Sequence, residues 1–120
     1  MEKDKNLDSI EIARRAIEAA SDKQAENLVL LDTRKICSFA DYFVICNGDS
    51  ERQIDAIVEE ISTQLKKEGV MPYRIEGTPD SGWVLLDLST VIVHIFSPAS
   101  REYYNLDELW GEAIPTVRIQ

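Results

Sequence analysis

Residues 50–69 constrain the fold more than any other part of this chain. Ser50 is placed to cap a helix, and Gln53, three residues on, completes a capping box. Ile54, Ile57, Val58, Ile61 and Leu65 then recur on one helical face. Lys66 and Lys67 fall in the last turn, where cations suit the negative end of the helix dipole, and Gly69 supplies the stop. Just upstream runs Asp41-Tyr-Phe-Val-Ile-Cys-Asn47, an apolar strand that Asn47-Gly48-Asp49 interrupts. A strand that enters a helix and returns as a strand implies a right-handed parallel crossover. The chain therefore needs a sheet with this helix laid across it.

The remaining pattern fills in that sheet. Asp8 and Glu11 form an earlier capping box, with Leu7 and Ile12 as its hydrophobic staple, and Ile10, Ala13, Ile17 and Ala20 predict a first helix to about Asp22. Residues 27–32 (Asn-Leu-Val-Leu-Leu-Asp) read as a buried strand, followed by a polar, irregular stretch over 33–40. After Gly69 a strand is expected at 73–76, a turn at Gly77-Thr-Pro-Asp-Ser-Gly82, and two strands at 83–88 and 91–96 joined at Ser89-Thr90. Ser97-Pro98 resembles a helix start, and a short helix is expected near 99–104. The expectation is one α/β (α+β) domain over 1–120, a mixed five-stranded sheet with helices packed on it.

Charge narrows the partners. The 120 residues carry 22 acidic against 13 basic side chains, a net charge of -9. The basic pairs Arg14-Arg15, Arg34-Lys35 and Lys66-Lys67 are scattered, so direct, tight nucleic-acid binding is not expected. An acidic protein suits a basic partner, of which ribosomal proteins are the commonest abundant kind; acidity also serves solubility alone. Cys37 and Cys46 match no zinc or redox spacing and read as reduced thiols. No apolar stretch approaches the roughly 20 residues that span a bilayer. The expectation is a soluble, cytoplasmic protein.

Residues that could carry chemistry are few, and each has an ordinary reading beside the functional one. Gly48-Asp49-Ser50 could hold a phosphate at a helix amino terminus, yet it has one glycine and an aspartate that would repel the phosphate, which suits a turn and cap. Asp87 lies among apolar residues on a strand and is either paired or functional. The layout resembles nucleotidyltransferase folds, where paired strand carboxylates hold magnesium, but Ser89 stands two residues after Asp87 and the pair is missing. His94 is the single histidine and has no acid or nucleophile beside it in sequence. Trp83 suits core or partial exposure equally. Tyr103, Tyr104, Leu106, Leu109 and Trp110, mixed with carboxylates, suit either a folded-back core or a surface that grips another protein.

The run Ala40-Asp-Tyr-Phe-Val-Ile-Cys-Asn-Gly48 with Ser50-Glu-Arg-Gln53 resembles the signature of the Iojap, or ribosomal silencing factor S, family. So do Gly82-Trp83, Asp87, Val91-Ile-Val-His-Ile-Phe96 and Arg101-Glu-Tyr-Tyr-Asn-Leu-Asp-Glu-Leu-Trp110, in that order, across residues 9–113. The short amino terminus suits a bacterial member rather than an organellar one. The resemblance implies a nucleotidyltransferase-like sheet without catalytic residues, metal or cofactor. It implies a starvation or stationary-phase factor that binds the large ribosomal subunit through large-subunit ribosomal protein fourteen, blocks subunit joining and represses translation. By the same resemblance the docking surface comprises Trp83, Asp87, His94, Arg101, Tyr103, Tyr104, Leu106, Leu109 and Trp110, and the free protein is a homodimer. The rival expectations are a nucleotidyltransferase-type enzyme and an interaction module with no ribosomal role.

Overall fold

The computed structural model describes residues 7–109 and 114–119. Its elements in chain order are α1 (Ser9–Asp22), β1 (Glu26–Asp32), β2 (Tyr42–Asn47), α2 (Glu51–Lys67), β3 (Arg74–Glu76), β4 (Trp83–Asp87), β5 (Val91–Phe96), α3 (Pro98–Tyr104), α4 (Leu106–Leu109) and β6 (Ile114–Ile119), with a 3-10 turn at Pro79–Ser81. One mixed sheet runs β3-β4-β5-β2-β1-β6. The five expected strands are all in it. A sixth, β6, pairs antiparallel with β1 at the edge, an addition to the sequence reading.

The crossover required by α2 is present. β2 and β5 lie side by side and parallel, while β3 and β4 fold back as antiparallel neighbours beyond β5. Two stretches of chain thus return to the direction of β2 after the helix, which a single hairpin could not achieve.

Strand alternation then divides the side chains between two faces. Leu28, Leu30, Val44, Cys46, Val84, Leu86, Val93 and Ile95 turn to one face and pack against α1 and α2. From α1 that core receives Ala13, Ala16, Ala19 and Ala20, and from α2 Ile54, Ile57, Ile61 and Leu65, all buried. The alanines leave room for α1 to lie close to both α2 and the sheet. Cys46 is fully buried here, and loss of solvent pushes its thiol pKa up to about 12, which makes it an apolar filler rather than a nucleophile.

Caps and ties fix the helices. Asp8 N–H donates to Glu11 Oε1 at 3.0 Å, the expected capping-box bond. Ser50 Oγ accepts from Gln53 N–H at 3.1 Å. The Gln53 side chain does more than close a box. Its Oε1 accepts from Asp49 N–H at 2.6 Å, and its Nε2 donates to the carbonyls of Lys23 and Gln24 at 3.1 and 3.0 Å. It therefore ties the start of α2 to the end of α1. At the other end Gly69 takes φ +83, and Val70 N–H donates back to Leu65 O at 2.9 Å, the left-handed stop that glycine makes without strain.

Candidate functional site

Among the described residues, the second face of the sheet bears no long helix. Alternation sends Trp83, Leu85 and Asp87 of β4 and Ile92, His94 and Phe96 of β5 to this side, together with Phe43 of β2. Val29, Leu31, Ile45 and Leu106 close part of it as a second apolar cluster. The rest is an open groove of about 500 Å³, lined by Phe39, Phe43, Arg74, Trp83, Leu85, Asp87, Ser89, Ile92, His94 and Leu106. A smaller hollow of about 220 Å³, lined by Glu76, Gly77, Trp83 and Leu85, adjoins it through the two residues they share.

An aromatic series runs along this face. Antiparallel pairing sets Trp83 opposite Phe96 and Leu85 opposite His94, so the indole reaches its diagonal neighbour. Trp83 Nε1–H donates to His94 Nδ1 at 3.2 Å. The His94 ring meets Phe43 edge-on with centroids 5.1 Å apart and stacks near Phe96 at 6.1 Å. Trp83 in turn packs on Phe96 at 5.0 Å and on Tyr104 at 4.5 Å, and Tyr104 meets Tyr103 edge-on at 5.0 Å. These spacings are favourable for offset and T-shaped aromatic pairs. The series runs from a buried end at His94, 5% exposed, to an open end at Tyr103, 82% exposed. Burial drives the His94 pKa down to about 4, so its imidazole is neutral at physiological pH.

Asp87 is paired. Its Oδ1 accepts from Ser89 N–H at 2.9 Å, which holds the β4–β5 turn with Ser89 at φ 79. Its Oδ2 lies 3.4 Å from Arg74 Nε, and Arg74 also reaches Glu76 at 3.2 Å. Both carboxylate oxygens are thus engaged, while one edge of the group still lines the groove. Among the described residues no group of three or more His, Cys, Asp or Glu is placed to hold a metal ion.

Arg101 lies apart from the groove. Its Nη1 donates to Asn27 O at 2.9 Å and to the buried Asn47 Oδ1 at 2.8 Å. The guanidinium thereby pins α3 to the irregular start of β1, where Asn27 takes φ 51, and to the last residue of β2. At its amino end α3 is capped by Ser97 Oγ, which accepts from Ser100 N–H at 3.2 Å, and Ser97 N–H donates to Gly82 O at 2.9 Å. Gly82, at φ +83, brings the backbone so near that a Cβ would sit 2.6 Å from Ser100 Oγ. Tyr103 and Tyr104 are therefore carried by a helix fixed at both ends. Leu106 is buried in the second cluster and reaches the groove from below. Leu109 ends α4, and Trp110 lies outside the described residues.

A family model described as ribosomal silencing factor during starvation matches residues 6–120. The chain belongs to the ribosomal silencing factor family. A protein of Halalkalibacterium halodurans named ribosomal silencing factor RsfS is 43% identical over 110 residues, covering 92% of this chain and 93% of its own. One of Bacillus subtilis with the same name is 44% identical over 102 residues, 85% of this chain and 86% of its own. Among solved structures, a Chromobacterium violaceum protein superposes with a TM-score of 0.84 at 37% identity, covering 88% of each chain.

Within this member of the ribosomal silencing factor family, the groove gathers Trp83, Asp87, His94 and Leu106 of the expected residues, with Tyr104 packed on Trp83 at its side. It also recruits Phe39, Phe43, Arg74, Leu85 and Ile92, which sequence reasoning did not single out. Parity along β4 and β5 could have found Leu85 and Ile92, once Trp83 and His94 were assigned to one face. Phe39 carried a different signal: a large aromatic in an irregular segment between two strands, now 61% exposed.

Proposed function

We propose that this protein silences translation by occlusion. The groove face docks on large-subunit ribosomal protein fourteen, on the side of the large subunit that meets the small one, and the bound domain prevents the subunits from joining when nutrients are scarce. One observation carries the reading: a family member presents an open aromatic groove with a carboxylate at its rim, on the sheet face without long helices. Large aromatic anchors at the centre of an interface supply most binding energy, and acidic groups beside them suit a basic ribosomal protein. Occlusion needs no turnover, and the Asp87 carboxylate, to which a metal-dependent reading would assign magnesium, is engaged by Ser89 and Arg74. The protein acts in the cytoplasm, as a homodimer when free of the ribosome. Among the described residues no helix is long and apolar enough to cross a membrane.

The test is sucrose-gradient sedimentation. Saturating protein is added to purified large subunits before small subunits, at moderate magnesium. The joined-ribosome peak is expected to be suppressed, and the protein to migrate with the large subunit. Tyr104→Ala, at the half-exposed end of the aromatic series, is expected to bind more than tenfold more weakly on the usual hot-spot scale, while keeping its melting point. A full joined-ribosome peak at saturation would refute occlusion.

A further inference from the structure

His94 has a fixed tautomer. An indole N–H can only donate, so His94 Nδ1, 3.2 Å from Trp83 Nε1, must be an unprotonated acceptor. In a neutral imidazole the proton then resides on Nε2. That atom is out of contact with solvent and has no hydrogen-bond partner, although His94 lines the groove. Buried donors are nearly always satisfied, so this one, on a residue that lines the groove, calls for a partner from outside the chain. Resting on the docking reading above, we infer that His94 selects what the groove accepts: a neutral oxygen acceptor of the partner protein, a backbone carbonyl or side-chain amide, received by His94 Nε2–H.

A neutral acceptor fits better than an anion for two reasons. The lining's cation, Arg74, is already engaged by Asp87 and Glu76, so an entering carboxylate or phosphate would meet two carboxylates for one guanidinium. The chain as a whole carries -9 and repels phosphate backbones at longer range. The remaining lining is mostly apolar, which suits a hydrophobic side chain whose neighbouring amide supplies the oxygen. The acceptor reaches Nε2 only when a lining side chain gives way. Among the lining aromatics Phe39 is the most exposed, at 61%, on the irregular segment 33–40.

The experiment titrates labelled protein against purified large ribosomal subunits. His94→Phe keeps a ring of similar shape without the N–H and should bind about tenfold or more weakly, because the partner's oxygen is left unmatched, with only a small fall in melting temperature from the Trp83 N–H it leaves unpaired. His94→Gln, which retains a donor, should recover part of the loss. Trp83→Phe, which keeps a ring but removes the donor that fixes the tautomer, should also weaken binding. Histidine 15N chemical shifts of the free protein should show the Nε2–H form. Wild-type affinity for His94→Phe in a protein that binds large subunits, or an Nδ1–H tautomer, would overturn this inference and leave docking intact. Failure of the wild-type protein to bind large subunits would overturn both.

Discussion

The proton missing from His94 Nδ1 has an effect on the whole chain as well as on the groove. Burial holds the folded pKa at about 4, below the ordinary value of 6.5. Between those values the unfolded chain takes up a proton that the folded chain refuses, so stability falls as pH drops through the window and is recovered above about pH 6.5. The full difference approaches about 3 kcal/mol by pH 4. Other carboxylates titrate there too, so the difference between wild type and His94→Phe is the informative quantity. Urea unfolding at pH 7, 5.5 and 4.5 should show wild type losing ground steadily to the variant; a constant difference would mean that His94 titrates normally when folded. At this scale the sequence was informative about identity and silent about pairing. Asp87 among apolar residues signalled a paired or functional group, but its partners Arg74 and Ser89 depend on the β3–β4 register and on the turn conformation. Arg101 was expected at the docking surface by resemblance alone, and its contacts to Asn27 and Asn47, far away in sequence, could not be read from its neighbours.

At the scale of elements, α3 is the piece most dependent on distant help. Seven residues are too few for a helix to persist on its own. What holds it is Ser97 with Gly82 at one end and Arg101 with Asn47 and Asn27 at the other. Arg101→Ala should therefore lower stability by about 1–3 kcal/mol, the scale of charged hydrogen bonds to partly buried groups. It should also speed amide exchange across 98–105. Asn47→Ala should have a similar effect, and the double variant should fall short of the sum, since both remove one bond. Additive losses would show that the two residues act separately. The helices α1, α2 and α3 and five strands were legible because caps and periodicity are local signals, whereas the four-residue α4 carried no such signal. The strand β6 was not. Its Ile-Pro-Thr-Val-Arg-Ile run contains Pro115, which argues against a strand until an edge position is known. The structure places it at the edge, with the register against β1 shifting between Val117 and Pro115.

For the molecule as a whole, the mixed sheet followed from the strand–helix–strand order. The groove, by contrast, emerged only when β4, β5 and β2 were laid side by side, because a concave surface is a property of register rather than of any one segment. The central parallel pair described above has a further consequence, one of time. Tyr42–Asn47 can pair early with β1 but cannot meet its parallel neighbour until Val91–Phe96 exists, and the helices α1 and α2 have no complete surface to cover before then. Closing that long span costs chain entropy before any contact rewards it, so folding should be governed by this step. A nascent chain that stops short of β5 should stay open to protease, and one extended through Phe96 should begin to resist it. The two central strands are thus joined only when most of the chain has been made, and β6, which pairs with β1, is added later still, which makes the protein a late folder on the ribosome that synthesises it.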